Sequence, residues 1–270
     1  MLSLPNFQER QGVWALKKKH RVMRVKLRAK AITFFQRAYA KLFREYAKLS
    51  YAILFPETIL IHVGKSGGSS LRLALNQIGV QYSVIHVMPV PFVRERARYY
   101  LLLRSPVSRA ISAFNWRYKL VVTDEVQKTR FPGEYEILKN YGSINNLAEA
   151  LYTEGNANAD AIADFRSIHH LKESIAYYFS VIPVSRLKSR IAGVLFQESM
   201  ATDFERLFNK PLPGFSEKRN KKPIDDVLSD RAKRNLVRIL ESDYTTIEEL
   251  FNLGFVSRET WDYVQCERRE

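Results

Sequence analysis

Cysteine is almost absent from the sequence, and long apolar runs are absent altogether. Cys266 is the one cysteine among 270 residues, so it can form neither an intramolecular disulfide nor a metal site by itself, and nothing requires an oxidising compartment. No segment reaches the run of about 18 apolar residues that a membrane span needs, and the first residues lack the apolar core and cleavage site of a signal peptide. These absences predict a cytoplasmic protein.

Acidic residues are scarce, most of all near the N-terminus. The chain has 43 Lys and Arg against 28 Asp and Glu, a formal net charge of +15. Residues 1–50 hold 13 of those cations but only Glu9 and Glu45 as acids, so the other residues together carry about +4. Positive charge favours an anionic partner: a nucleic acid, an acidic membrane surface, or a phosphorylated or sulfated ligand. Because the charge is concentrated in the first 50 residues, we do not expect the rest of the chain to bind nucleic acid.

Residues 1–51 are predicted to form a basic amphipathic helical arm. Between Val13 and Ser50 there is no proline or glycine, and apolar residues recur every three or four positions, as one face of a helix requires. This stripe consists of Ile32, Phe35, Tyr39, Leu42, Tyr46 and Leu49. Two main interpretations stay open: the helix packs on the following domain with its basic face in solvent, or it lies on an anionic membrane surface. Contact with nucleic acid is a third.

Residues 52–270 are predicted to form one α/β domain, in which a central parallel sheet is flanked by helices. Short apolar and β-branched runs are typical of buried parallel strands, and Pro106 suits the first turn of a helix. Strands are expected at 57–63, 81–86, 99–103 and 191–196, and helices at 69–78, from 106 onward, at 203–208, 229–241 and 245–253. The polar stretch 123–164 is expected to form loops and short helices that cover the active site.

The most informative segment is a glycine-rich turn after the first predicted strand. It reads Ile61-His62-Val63-Gly64-Lys65-Ser66-Gly67-Gly68-Ser69-Ser70. Gly67 and Gly68 let backbone N–H groups approach phosphate oxygens, and the following helix N-terminus adds partial positive charge. Hydroxyl donors come from Ser66, Ser69 and Ser70. The turn is therefore a candidate anion site, and the simpler alternative is a tight turn capped by Ser69.

Two common nucleotide-binding patterns do not fit this turn. A Walker A loop would need glycine five residues before Gly64, where Ile59 stands inside the strand. A dinucleotide-binding G-x-G-x-x-G cannot be written across the turn either. What remains is a lysine directly before a hydroxyl residue and two glycines.

This turn resembles the 5′-phosphosulfate loop of the sulfotransferases that use 3′-phosphoadenosine-5′-phosphosulfate (PAPS). In the glycan O-sulfotransferase branch that loop reads roughly Pro-Lys-Thr-Gly-Gly-Thr-Ser. Gly64 stands where the family has proline, and Ser66 and Ser69 replace threonines and keep the hydroxyl donors. The resemblance implies that residues 65–70 bind the 5′-phosphosulfate of PAPS.

A second segment resembles the same family. Residues 104–114 read Arg-Ser-Pro-Val-Ser-Arg-Ala-Ile-Ser-Ala-Phe, similar to the family's Arg-Asp-Pro-x-x-Arg-x-x-Ser-Ala-Tyr. The resemblance implies that Arg104 and Ser112 bind the 3′-phosphate, a role that a forked guanidinium and a hydroxyl suit. Ser105 stands where the family usually has aspartate, so the task of that carboxylate is lost or done otherwise.

The sulfuryl transfer that this resemblance implies needs a cation near the bridging oxygen and a base for the acceptor's proton. Lys65 suits the first role. His86 is the predicted base, because it ends the second strand roughly where the family has a Gly-His-x-Pro segment. His169 or His170, which are expected to open a helical stretch up to residue 179, are alternatives, and His62 is expected to be buried and hydrogen-bonded. No cluster shows metal-ligand spacing, and the transfer requires no metal.

The sequence thus predicts a PAPS-dependent sulfotransferase in an α/β domain of P-loop-like build. By resemblance the acceptor is a carbohydrate, and a small hydroxylated or amino molecule is the alternative. The basic stretch 218–222 is either a solvated turn or a loop that closes on nucleotide or acceptor. Two rivals stay open: a P-loop phosphotransferase that uses Lys65 on a triphosphate with Mg²⁺, and a membrane- or nucleic-acid-binding protein that acts through its basic arm.

Overall fold

The computed structural model describes residues 57–213 and 227–269. The predicted arm at 1–51 and the basic stretch 218–222 lie outside the described residues, so both stay predictions. None of the described helices is long and apolar enough to cross a membrane.

The described part of the chain contains both strands and helices. The strands are β1 (Thr58–His62), β2 (Ser83–His86), β3 (Arg98–Leu103), β4 (Tyr152–Thr153), β5 (Asn156–Ala157) and β6 (Ile191–Phe196). The helices are α1 (Gly68–Gln77), α2 (Pro106–Tyr118), α3 (Glu134–Tyr141), α4 (Ile144–Leu151), α5 (Ala159–Ser167), α6 (Ile175–Tyr178), α7 (Val184–Leu187), α8 (Met200–Phe208), α9 (Asp230–Ile239), α10 (Glu241–Asn252) and α11 (Arg258–Arg269). A π-helical turn, Lys119–Thr123, continues α2, and a 3₁₀ turn, Lys188–Arg190, precedes β6.

Four parallel strands form the central sheet, in the order β2-β1-β3-β6. Side chains alternate between its faces. On one face, Leu60 packs with residues of α1 and α8 such as Leu71 and Phe204. On the other, Ile59 and Ile61 join the larger core formed with the remaining helices. The protein is therefore an α/β fold with a central parallel sheet flanked by helices, as predicted.

Most element predictions are confirmed within a few residues, and four are corrected. The helical turn expected at 203–208 is a helix that begins earlier, at Met200, and the helix expected at 245–253 begins earlier, at Glu241. The expected helical stretch from His169 to residue 179 is wrong, because both histidines lie in a turn, and the only helix there is the four-residue α6. The C-terminal region holds a third helix, α11, that the sequence did not predict.

The strand order reverses direction between β1 and β3, at the carboxyl edge of the sheet. From β1 the chain continues to β2 on one side, whereas β3 pairs with β1 on the other side. At such a reversal of direction, the loops that follow the two central strands separate and leave room for a ligand. The loop after β1 is the glycine-rich turn, and the residue after β3 is Arg104.

Candidate functional site

The turn between β1 and α1 has a backbone suited to an anion. Lys65 has φ 70° and Gly67 has φ 84°, so left-handed residues lie on both sides of Ser66. Alternating backbone conformations of this kind point successive N–H groups into one concavity. Gly67 is the N-cap of α1, and no side chain caps the helix. The alternative in which Ser69 caps the turn is therefore wrong, and the first N–H groups of α1 have no intrahelical acceptor.

Ser66 lies at the centre of this turn and is fully buried. Its side chain is 0 % exposed, and its Oγ has no hydrogen-bond partner among the described residues. Leaving a buried hydroxyl without a partner costs about 1–3 kcal/mol. Because surrounding residues cover this hydroxyl completely, a ligand oxygen could bond to it only after the turn opens.

Lys65 is a partly buried cation that lies near an aromatic ring, that of Trp116, and near a second cation, Arg104. Its Nζ lies 4.3 Å from the centroid of the Trp116 ring in α2. Burial, and to a smaller extent the charge of Arg104, lowers the pKa of Lys65 to about 8. An anion bound at the turn would favour the charged form again, because opposite charges at close range raise the pKa of an amine.

Arg104 joins the second predicted motif to the glycine-rich turn. Its Nη1 lies 3.5 Å from the carbonyl oxygen of Lys65, at the outer limit of a hydrogen bond. Its Nε lies 3.9 Å from Oε1 of Glu198, which follows β6 and accepts a hydrogen bond from the Ser105 N–H at 3.1 Å. Burial raises the pKa of Glu198 despite these neighbours. Segments distant in sequence thus meet at the carboxyl edge of the sheet.

Helix α2 presents one face toward the turn. Ser112 is half-buried and lies one helical turn before Trp116, so both side chains share a face of α2. Because Trp116 contacts Lys65, Ser112 lies on the side of α2 nearest the glycine-rich turn. At the start of α2, Ser105 does not cap the helix with its own side chain, and its hydroxyl donates instead to Glu267 in α11. The Glu267 carboxylate therefore lies at the start of α2. In the resembling family, an aspartate stands at the position of Ser105.

His86, the predicted base, has a defined tautomer. It pairs in register with His62, and its Nδ1 lies 2.9 Å from the His62 carbonyl oxygen. A carbonyl oxygen can only accept, so Nδ1 carries the proton. In neutral imidazole the acceptor nitrogen is then Nε2.

The ring of His62 stacks on that of His86, with centroids 4.2 Å apart. Burial is the main reason that the pKa of His62 is lowered to about 3. Its Nδ1 has no hydrogen-bond partner within the described part of the chain, so the prediction that His62 is hydrogen-bonded is wrong for this atom. A Cβ at Gly68 would lie 2.0 Å from His62 Nε2, which is why only glycine fits there.

Two further histidines extend this stack. The centroids of His86 and His170 are 6.0 Å apart, and those of His169 and His170 are 4.2 Å apart. We call His62, His86, His170 and His169 the histidine column. His170 has φ 69°, a strained value for this residue type, and burial lowers its pKa to about 2. It is therefore neutral and a poor base.

Gly64 is a glycine because His170 approaches it. A Cβ at position 64 would lie 2.6 Å from His170 Nδ1, well inside van der Waals contact. Proline, which the resembling family has at this position, would meet the same ring. The difference from the resembling family at position 64 is thus explained by His170, which is more than a hundred residues away in sequence.

Buried charges fix the turn that carries His169 and His170. Arg109 and Asp243 are both 0 % exposed and 3.8 Å apart, and Arg109 Nη1 donates to the His170 carbonyl at 2.7 Å. Glu134 forms a bidentate pair with Arg117 at 2.6 and 3.0 Å and accepts from the His169 N–H. Arg109, the second arginine of the family-like pattern, thus serves to hold this turn.

Tyr178 connects the ends of β1 and β2. Its buried hydroxyl accepts hydrogen bonds from the Gly64 N–H at 3.2 Å and the Val87 N–H at 3.0 Å. Val87 follows His86 directly and has φ 59°, a strained value for a β-branched residue. Burial raises the pKa of Tyr178 to about 12, so the hydroxyl stays protonated.

One group of side chains has the composition of a metal site. His169, His170 and Glu173 offer ligand atoms within 4.8 Å of one another, a proximity that their spacing did not reveal. However, the Glu173 carboxylate already accepts from the His170 N–H at 2.6 Å and lies 3.2 Å from His169 Nδ1. Lys172 Nζ lies 3.7 Å from the same carboxylate and would repel a cation. We therefore assign no metal to this group.

The predicted site residues thus occupy one edge of the sheet. Lys65, Arg104 and the turn adjoin, and His86 lies at the end of the neighbouring strand. Sequence reasoning missed Trp116, Tyr178, Glu198 and Glu267, and it did not foresee the histidine column. Only Glu198 carried a signal, because it follows an apolar predicted strand whose carboxyl end must reach the same edge.

Comparisons with known proteins add no relative. No family model matches the chain, and no curated protein or solved structure matches it significantly. The resemblance to sulfotransferases therefore depends on the two motifs and on where the fold places them.

Proposed function

We propose that this protein transfers a sulfuryl group from PAPS to a hydroxyl or amine of an acceptor. The observation that supports this best is the contact between the two motifs: Arg104 Nη1 reaches the Lys65 carbonyl at 3.5 Å. PAPS carries phosphate at its 3′ position and phosphosulfate at its 5′ position, so it requires two adjacent anion sites. We propose that the loops after β1 and β3 supply these two sites.

The 5′-phosphosulfate would occupy the glycine-rich turn, in a P-loop-like arrangement. The first N–H groups of α1 and the hydroxyl of Ser66 would donate to its oxygens, with Gly67 and Gly68 allowing the close approach. Ser69 and Ser70, in the first turn of α1, would supply further donors. The 3′-phosphate would bind the guanidinium of Arg104 and the hydroxyl of Ser112.

In the transfer step, the acceptor oxygen or nitrogen attacks sulfur in line with the leaving group. His86 Nε2 takes the acceptor's proton, while the bond between sulfur and the bridging oxygen breaks and its electron pair goes to the 5′-phosphate. Lys65 moves from the Trp116 ring to that oxygen and stabilises the developing charge. The products are the sulfated acceptor and adenosine 3′,5′-bisphosphate. A positioned base contributes about 10²- to 10⁴-fold to such a rate.

A nucleotide-dependent phosphotransferase fits less well. It would need Mg²⁺ and an acidic ligand at a strand end. The four strands of the central sheet end at His62, His86, Leu103 and Phe196. The nearest acid after a strand, Glu198, already accepts from the Ser105 N–H and lies beside Arg104.

The acceptor we propose is a carbohydrate, with a small hydroxylated or amino molecule as the alternative. The arm at 1–51 is proposed to contact an anionic membrane surface.

Calorimetric titration of the full chain tests the donor assignment. We expect adenosine 3′,5′-bisphosphate to bind at least about tenfold more tightly than ATP with Mg²⁺, because only the bisphosphate places a charge at Arg104. Adenosine 5′-monophosphate is the matched control for the 3′-phosphate. Tighter binding of ATP with Mg²⁺ would favour the phosphotransferase, and binding of neither nucleotide by folded protein would contradict both enzymes.

A further inference from the structure

The carboxylate of Glu267 collects five hydrogen bonds at the start of α2. Its Oε1 accepts from the Ser105 hydroxyl at 2.8 Å, the Ser108 N–H at 3.1 Å and the Ser108 hydroxyl at 3.2 Å. Its Oε2 accepts from the Val107 N–H at 3.2 Å and the Tyr244 hydroxyl at 3.0 Å. This residue belongs to α11, the helix that sequence patterns did not predict. The proposed transfer chemistry does not use it.

This arrangement is a helix cap supplied by a different helix. The first N–H groups of any α-helix lack intrahelical acceptors, and a side chain next to them in sequence usually accepts instead. In α2 that side chain would be Ser105, yet it makes no cap bond. Glu267 accepts from two of these N–H groups although it is 160 residues from Val107. Its negative charge also interacts favourably with the positive end of the helix.

The same contacts immobilise the residue that follows Arg104. The N–H of Ser105 donates to Glu198, and its hydroxyl donates to Glu267, so Ser105 is held on two sides. Arg104 directly precedes this fixed point and extends toward the Lys65 carbonyl. The direction of its guanidinium therefore depends on a backbone that α11 helps to hold.

We propose that Glu267 is a positioning residue for the nucleotide's 3′-phosphate site. By capping α2, it fixes the Arg104–Ser105 backbone so that the guanidinium presents a preformed fork. Because its carboxylate already occupies the N-terminus of α2, it also excludes phosphate from that helix end and directs it to Arg104 and Ser112. This inference rests on the proposed donor, and it adds that the C-terminal helix determines how strongly the 3′-phosphate is recognised.

The test compares two nucleotides in the full chain. The ratio of the Kd values of adenosine 5′-monophosphate and adenosine 3′,5′-bisphosphate measures recognition of the 3′-phosphate alone. We expect Glu267→Ala to lower this ratio about tenfold and Glu267→Gln, which keeps one acceptor oxygen without charge, to lower it less. Glu259→Ala, which removes an exposed carboxylate from the first turn of the same helix, should leave the ratio unchanged.

Each outcome decides the matter. If folded Glu267→Ala keeps the wild-type ratio, the residue is merely structural and the inference is overturned, while the donor assignment stands. If the wild-type protein does not prefer the bisphosphate, both the donor assignment and the inference fail. Should Glu267→Ala not fold, as judged by circular dichroism, Glu267→Gln and Tyr244→Phe decide the question in the same way. If both of these variants keep the wild-type ratio of Kd values, the inference is overturned.

Discussion

Lys65 shows how the fold changes the chemistry of a single side chain. Burial against the Trp116 ring, with the nearby charge of Arg104, lowers the pKa of Lys65 to about 8, well below that of a solvated lysine. It is still largely charged at neutral pH, but it loses its proton in a range where an ordinary lysine does not. Any function that needs this charge must therefore weaken in mildly alkaline solution.

We predict that the affinity for adenosine 3′,5′-bisphosphate falls as pH rises through about 8. Only protonated Lys65 attracts the 5′-phosphate, so the loss should reach about tenfold between pH 8 and pH 9.5. Calorimetric titration across this range measures it. Lys65→Arg is the matched control, because a guanidinium stays charged throughout and should give a flat profile. A flat profile in the wild-type protein would show that Lys65 does not contact the bound anion.

A second prediction concerns Gly64 and His170. Gly64→Ala places a methyl group 2.6 Å from His170 Nδ1 in the native arrangement, so we expect it to lower the free energy of unfolding by about 1–3 kcal/mol. In a His170→Ala background the ring is gone, and the same change should cost much less. Urea denaturation of the four proteins measures this coupling. If the two substitutions change the free energy of unfolding additively, the His170 ring does not obstruct a side chain at position 64.

Among single residues, those in contiguous motifs were predictable and their distant neighbours were not. Lys65, Arg104 and His86 could be placed at the carboxyl ends of strands because each directly follows or ends an apolar run. Trp116 and His170 carry no such signal. Their contacts join segments that only the folded chain brings together, and no local pattern specifies them.

At the scale of elements, Tyr178 in the four-residue helix α6 holds two strand ends in place. Its hydroxyl accepts hydrogen bonds from the Gly64 N–H and the Val87 N–H, which lie in the loops that follow β1 and β2. A helix this short has little stability of its own. Its position depends on burial of Ile175 and Tyr178 and on the Ala176 N–H, which donates to Asp243 at 2.9 Å.

We predict that Tyr178→Phe lowers the free energy of unfolding by about 2 kcal/mol, because it leaves two buried N–H groups without an acceptor. It should also weaken nucleotide binding, since Gly64 begins the turn. Urea denaturation and calorimetric titration measure the two effects. Tyr177→Phe removes a neighbouring hydroxyl from the same helix and is the control. If Tyr178→Phe and Tyr177→Phe have the same free energy of unfolding and the same nucleotide affinity, Tyr178 does not hold the two strand ends.

The elements that sequence patterns predicted share a strong apolar signal. The strands of the central sheet are short, β-branched or leucine-rich runs, and both faces of the sheet are covered. Helix α11 gave no such signal, because only Thr260 and Val264 are buried along its length. Besides the stack of Trp261 on Phe251, polar contacts hold it, through Glu267 at α2 and through Arg268 at Glu241. Propensity and periodicity do not register contacts of this kind.

At the scale of the whole molecule, charge and chemistry occupy different parts of the chain. Residues 1–50 carry a net charge of +11, whereas the candidate site lies entirely between residues 62 and 267. Each lysine or arginine near an anionic membrane contributes about 1 kcal/mol to binding. The arm and the site should therefore be separable by experiment.

We predict that deletion of residues 1–50 abolishes binding to anionic lipid vesicles and changes the Kd for adenosine 3′,5′-bisphosphate by less than about threefold. Vesicle co-sedimentation and calorimetric titration measure the two properties. Vesicles of neutral lipid are the control for charge. Loss of nucleotide binding in a folded deletion variant would mean that the arm takes part in the site, and unchanged vesicle binding would refute the membrane role.

A crystal structure of the protein with adenosine 3′,5′-bisphosphate tests the central claim most directly. We predict that the 5′-phosphate lies in the turn at residues 64–70, within hydrogen-bond distance of Lys65 and Ser66. The 3′-phosphate should contact Arg104 and Ser112, with Glu267 still at the start of α2. Phosphates bound elsewhere on the protein, or a 5′-phosphate in the turn with the 3′-phosphate turned away from Arg104, would contradict the assignment of this site to PAPS.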